Sequence, residues 1–313
     1  MRPSTTTGVA LRSFGNPLLN DYEETVRRLY DAGYRVLDFA FVCHNYPNYI
    51  LRCDDWQQRI DSIANLAAKL GVTFSQSHLP YITDTMYCTD ANFQKPGYAE
   101  YFDECMRRAY IGSAMLGVRY ATAHPMSFPE YNFEEQPQLE ENRKYYDKFV
   151  ELGIQNGVGT AFENMLPSLN RSWPDRYCTR YEELIRLVDS YNDPMVGICW
   201  DTGHANQMRF DQVRALRAVG HRLKNTHIND NHYGTRDEHL QPFMGTIDWF
   251  KLIPVLAEIE YDGDLAYETN QVGIKAKGEL QDAILRLTYE NGCYLVKIYE
   301  EALAQKNKEK ITI

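Results

Sequence analysis

The feature that most narrows the fold of this chain is a pattern repeated eight times, a short β-branched or apolar run followed by a longer stretch with helical spacing. The strand-like runs are Gly8–Ser13, Arg35–Phe39, Thr73–Gln76, Arg119–Ala123, Gly159–Phe162, Val196–Trp200, Leu223–Ile228 and Leu265–Tyr267. The helical stretches fall at about 20–32, 54–70, 98–116, 138–156, 181–191, 210–219, 248–259 and 279–304. Gly33, Gly71, Gly117 and Gly157 stand just past four of them, where a left-handed cap residue is favoured. In the second, Trp56, Ile60, Ile63, Leu66, Ala67 and Leu70 fall near one face, as a helix lying on a sheet requires.

Eight strand–helix units in 313 residues predict an α/β protein, a single (β/α)8 TIM barrel with residues 1–313 as one domain. A doubly wound open sheet would usually announce itself by a Gly-rich phosphate loop, and neither GxGxxG nor GxxxxGK[ST] occurs. No Gly-, Ser- or Pro-rich linker divides the chain. Two connections, Leu79–Gly97 and Asn164–Arg180, are long for a barrel and follow strands on the face where barrels keep their sites.

Composition removes several function classes. Thirty-three Lys and Arg against 43 Asp and Glu leave a net charge of −10, which disfavours holding nucleic acid by bulk electrostatics. No run approaches the roughly 18 apolar residues of a membrane span, and residues 2–13 lack a signal-peptide core. The seven cysteines are scattered without a CxxC pair, so neither a disulfide frame nor a thiolate zinc site is expected. The expectation is a reduced, soluble, cytoplasmic protein.

The strand ends carry the chemistry. His78 and His124 follow strands three and four, Glu163 ends strand five, Asp201 and His204 follow strand six, His227 ends strand seven and Glu268 strand eight. A lone histidine there is more often a hydrogen-bonded rim residue, and Asp201 or Asp248 alone would read as a helix N-cap. Joint occurrence weighs against chance. In a barrel, Glu163, Asp201, His227 and Glu268 would face one point. Three carboxylates and an imidazole suit one divalent cation, and the set does not choose among Mn, Mg, Co, Fe and Zn.

With FEN at 162–164, WDTGHAN at 200–206, HINDN at 227–231, DEHLQPFMGTIDW at 237–249 and YETN at 267–270, the chain resembles the xylose isomerase-like TIM barrel superfamily over nearly its whole length. The resemblance implies metal ligation by Glu163, Asp201, His227 and Glu268, with Glu163 and Glu268 also acting as the acid/base pair. It implies substrate contacts from His204, and His78, His124, Arg236, Asp237 and His239 join the expected substrate pocket. The implied activity is isomerisation or epimerisation of a sugar or sugar derivative in carbohydrate metabolism. The implied partner is a small sugar, with homo-oligomerisation open.

The zinc-dependent AP endonucleases of the same superfamily carry nine ligands for three zinc ions. Their counterparts here add His78, His124, His204, Asp237 and His239 to the four. A metal-dependent dehydratase or lyase on the same ligands is a further alternative. Between Asp237 and His239, where the nucleases typically have Arg, this chain has Glu238, which would repel a phosphate. Position 233, where epimerases place Arg, is Tyr, which leaves Arg236 as the candidate.

Overall fold

Eight short runs become strands: β1 (Pro3–Thr6), β2 (Val36–Ala40), β3 (Thr73–His78), β4 (Tyr120–Ala123), β5 (Gly159–Glu163), β6 (Val196–Asp201), β7 (Leu223–His227) and β8 (Leu265–Tyr267). The structure is a computed structural model that describes residues 1–9, 21–42, 49–81, 95–131, 134–167, 176–232, 237–269, 276 and 278–312. All strand pairs are parallel, in the order β7-β6-β5-β4-β3-β2-β1-β8. A parallel bridge between Ile228 and Tyr267 joins β7 to β8 and closes the barrel. The fold is a single (β/α)8 TIM barrel.

Among the described residues the helices are α1 (Tyr22–Ala32), α2 (Trp56–Leu70), α3 (Tyr98–Met115), α4 (Glu135–Gln155), α5 (Tyr181–Asp189), α6 (Thr202–Gln207), α7 (Gln212–Val219), α8 (Trp249–Glu258) and α9 (Glu279–Thr312). Helices α1, α2, α5, α7 and α8 each bury an apolar face. In α2, Trp56, Ile60, Ile63 and Ala67 are buried, with Leu66 and Leu70 half-buried beside them. Gly33 ends α1 in the left-handed region at φ 119°, which lets Tyr34 N–H return to Leu29 O at 3.1 Å. The helix α9 is the longest at 34 residues, and its Tyr299 hydroxyl donates to Tyr261 O at 3.0 Å. No helix among the described residues is long and apolar enough to cross a membrane.

The first strand corrects the sequence expectation. It is Pro3–Thr6 rather than Gly8–Ser13; Thr7–Val9 form a 3-10 turn, and 10–13 lie outside the described residues. The physical reason is that Thr5 and Thr6 look polar yet are buried, because backbone partners satisfy their hydroxyls. Thr5 Oγ1 donates to Tyr267 O at 3.1 Å, and Thr6 Oγ1 accepts from Gly8 N–H at 3.3 Å. The short α6 was also not expected from helical periodicity, since six residues give too little of it.

The barrel interior is hydrogen-bonded as well as packed. Gln76 on β3 reaches across to donate from Nε2 to Thr226 O on β7 at 3.2 Å, and Asn225 Nδ2 donates to Thr122 Oγ1 on β4 at 3.0 Å. Outside β4, Asn142 of α4 grips both backbone groups of Met126 at 2.8 Å, and the Tyr146 hydroxyl donates to His124 O at 2.5 Å. These bonds fix the turn that carries His124.

Candidate metal centre

The C-terminal ends of β5, β6, β7 and β8 bring Glu163, Asp201, His227 and Glu268 together, with one ligand atom of each within 4.8 Å of the others. Glu163 Oε1 lies 2.9 Å from His227 Nδ1, and Glu268 Oε2 lies 3.5 Å from the same nitrogen. Glu163, Asp201 and His227 are fully buried, whereas the Glu268 side chain is 16% exposed. Three clustered carboxylates repel one another in a low-dielectric site, so the arrangement calls for positive charge at its centre. The donor set fits a divalent cation.

Asp201 does cap a helix, the plain reading that the sequence offered for it, and its second oxygen is also bonded. One oxygen caps α6 by accepting from His204 N–H at 2.7 Å; the other accepts from Asn229 Nδ2 at 2.8 Å. Asn164 clamps the Asp201 backbone from both sides, accepting from its N–H at 2.7 Å and donating to its carbonyl at 2.9 Å. Sequence reading missed these roles of Asn164 and Asn229, although both residues sit inside the FEN and HINDN motifs. Gly203 passes close to the same amide. A Cβ there would overlap Asn229 Oδ1 and stand 3.0 Å from Asn231 Nδ2. Gly203→Ala is therefore expected to destabilise the fold by about 1–3 kcal/mol, seen as a lower Tm. An unchanged Tm would show that the amide moves aside freely.

The remaining candidates form two flanks. On one, His124 Nε2 is 3.0 Å and His78 Nε2 3.5 Å from Glu163 Oε2, and the Tyr81 ring stacks on His124 with centroids 4.4 Å apart. His78 Nδ1–H donates to Leu79 O at 2.9 Å, which aims Nε2 at the carboxylate. On the other, His239 donates from Nδ1 to Glu268 O at 2.7 Å and from Nε2 to Asp237 Oδ2 at 2.6 Å. His204 Nδ1–H donates to Asn164 O at 2.8 Å, leaving Nε2 3.7 Å from Asp237. Reciprocal backbone bonds of 2.8 Å between Asp230 and Leu240 hold the arm that delivers Asp237 and His239. His78–His124–Glu163 and His204–Asp237–His239 are each compact enough to offer three ligand atoms to an ion. Arg236 lies outside the described residues.

Electrostatics separates the two flanks. Burial pushes Asp201 up to about 6 against the pull of His204, and Glu163 and Glu268 add to the rise. Burial works downward on His204, yet Asp201, Asp237 and Glu163 outweigh it and carry the imidazole up to about 10. Burial wins at His124, which falls to about 4 despite Glu163. Burial opposes ionisation of Glu163, but His227 and His124 hold it well below the usual carboxylate range. The surroundings thus favour the charged form of His204 and the neutral form of His124.

The family profile described as xylose isomerase-like TIM barrel matches residues 26–289. The chain belongs to this family. It is 38% identical over 116 residues to uncharacterized protein y4fM of Sinorhizobium fredii, covering 37% of this chain and 35% of that one. It is 28% identical over 211 residues to uncharacterized protein MJ1311 of Methanocaldococcus jannaschii, covering 66% of each. The chain thus spans about a third of the first relative and just under two thirds of the second. Among solved structures it is similar to a D-tagatose 3-epimerase-like protein, with a TM-score of 0.68, 21% identity, and 98% and 99% of the two chains covered. It is also similar to the IOLI protein solved with a zinc atom, with a TM-score of 0.70, 15% identity, and 96% and 99% covered.

Proposed function

We propose that the protein is a metal-dependent isomerase or epimerase acting on a sugar or sugar derivative. The observation that carries this reading is the convergence of Glu163, Asp201, His227 and Glu268 at the ends of four successive strands. The likeness to a D-tagatose 3-epimerase-like protein and to a zinc-bound barrel supports it. These four residues would hold one divalent cation, with His78 and His124 as pocket residues beside it. When bound, such a cation polarises the carbonyl and adjacent hydroxyl oxygens of a sugar.

The chain's own residues then divide the work. One of Glu163 and Glu268 takes the proton from the carbon next to the carbonyl, leaving a sugar enediolate. The charged His204, with Asp237 and His239 beside it, donates to a developing oxygen anion. Neutral His124 and Tyr81 present an uncharged wall. The proton returns either to the neighbouring carbon, which is isomerisation, or to the other face of the same carbon, which is epimerisation. A panel of ketoses and aldoses in deuterated water tests the reading. Metal-dependent deuterium uptake on a carbon is expected, and none with any sugar would sink it.

A phosphodiesterase reading fits the rim less well. Glu238 stands beside Asp237, where its Oε2 accepts from His232 N–H at 2.6 Å, and Arg180 is tied to Glu183, Nε to Oε1, at 2.9 Å. Phosphate contacts from Lys and Arg carry most DNA affinity, and acids among them remove it. We expect no incision of a duplex holding an abasic site in zinc-supplemented buffer. EDTA-sensitive cutting there would replace the sugar reading, because proton transfer at carbon breaks no phosphodiester.

A further inference from the structure

The ring of His227 has two faces, and only one looks at the ligand cluster. Its Nδ1 is the atom 2.9 Å from Glu163 and 3.5 Å from Glu268, so Nε2 points the other way, across the barrel toward β2. There it meets Asp38, whose Oδ2 lies 3.6 Å away. Asp38 occupies the middle of an otherwise apolar strand and is 1% exposed. Its neighbour Phe39 stacks on Tyr22 of α1 with centroids 4.7 Å apart, so strand alternation turns Asp38 into the barrel.

Both oxygens of Asp38 and Nε2 of His227 are buried without a hydrogen-bond partner among the described residues. A buried carboxylate is kept only where something compensates its charge. Here a buried acceptor and a buried nitrogen with no other bond face each other. The 3.6 Å gap exceeds a hydrogen bond, and a ring shift of about 0.6 Å brings it to the common N–H···O distance. It is too narrow for a water to stand between.

We propose that Asp38 is a positioning residue for His227. It accepts the hydrogen on Nε2 and thereby holds the ring with Nδ1 turned to the ligand cluster. An imidazole that ligates through one nitrogen keeps its hydrogen on the other, and a carboxylate at that hydrogen fixes both tautomer and ring angle. The competing acceptor is the Cys199 thiol on β6, which groups with His227 and Glu163 within 4.8 Å. A carboxylate is much the stronger acceptor of the two.

The inference rests on the metal reading of the cluster, and two measurements keep the two apart. The first is Mn²⁺ titration of wild type, Asp38→Ala, Asp38→Asn and Cys199→Ala. Asp38→Ala should bind about 10- to 100-fold more weakly. Asp38→Asn keeps an acceptor oxygen at the same volume and should recover most of the loss, and Cys199→Ala should bind as wild type does. Should Asp38→Ala fail to fold, the isosteric Asp38→Asn carries the comparison through the second measurement. That is ¹⁵N NMR of His227 in the unloaded and Zn²⁺-loaded protein, which should show hydrogen on Nε2 in both. Undiminished Mn²⁺ affinity in a folded Asp38→Ala, a bare Nε2, or a larger loss in Cys199→Ala would each overturn the assignment. If wild type takes up no Mn²⁺, the metal reading fails, and the ¹⁵N pattern still decides the Asp38 contact.

Discussion

Glu268→Gln is expected to abolish measurable turnover, a fall of about 10²- to 10⁴-fold or more, in a barrel that stays folded. The structural ties at this position run through the backbone. Glu268 N–H donates to Ile228 O at 3.1 Å, and Glu268 O accepts from His239 at 2.7 Å, and neither bond needs the carboxylate. The carboxylate faces the cluster with 16% exposure, more open than the fully buried Glu163, so it can meet a substrate carbon. Gln keeps the volume and an oxygen but cannot accept a proton at neutral pH. Deuterium uptake by sugar in heavy water reads the step directly, and circular dichroism reads the fold. Uptake at near wild-type rate would remove Glu268 from the acid/base role.

The second large effect separates two histidines that both touch Glu163. His227→Ala removes the sole imidazole of the four-residue cluster and leaves three clustered carboxylates, so the metal should fall from about one per chain to a small fraction. His124→Ala should leave the metal in place and impair sugar turnover. The contrast follows from position. His227 Nδ1 sits between Glu163 and Glu268, whereas His124 approaches Glu163 from the opposite oxygen and packs under Tyr81. Elemental analysis of the purified variants decides it. Equal loss at both positions would mean that His78, His124 and Glu163 also hold an ion, as their spacing permits.

How far the sequence could be read depended on where each side chain announces itself. Glu163, Asp201, His227 and Glu268 were legible because a carboxylate or imidazole closing an apolar run is conspicuous, and barrel topology makes such ends converge. Asp38 was not. It stands inside a strand between Leu37 and Phe39, where a carboxylate looks like the outward residue of an alternating pattern, and only the closed barrel shows it facing His227. Asn164 and Asn229 lie within recognised motifs, but amides signal no metal and no proton transfer, so only the folded chain shows their work on Asp201. The displaced first strand has the same cause as the polar interior. Threonine hydroxyls satisfied by backbone are buried without being apolar, and hydrophobic patterning does not register them.

The pairing of β1 with β8 has a consequence for a chain still being synthesised. Pro3 aligns with Leu265, and Arg2 forks onto Asp264 with contacts of 3.1 and 2.9 Å. This seam joins segments 262 positions apart, so a ribosome must make all seven other strands before β8 can form it. Glu268 leaves the ribosome only after β8, just past that seam. The nascent protein therefore carries Glu163, Asp201 and His227 for a time without the third carboxylate and without the strand that shuts the cylinder. If the four groups take up a cation together, as proposed above, its capture is a late event of biogenesis, and a ribosome-bound fragment ending before Leu265 should retain none.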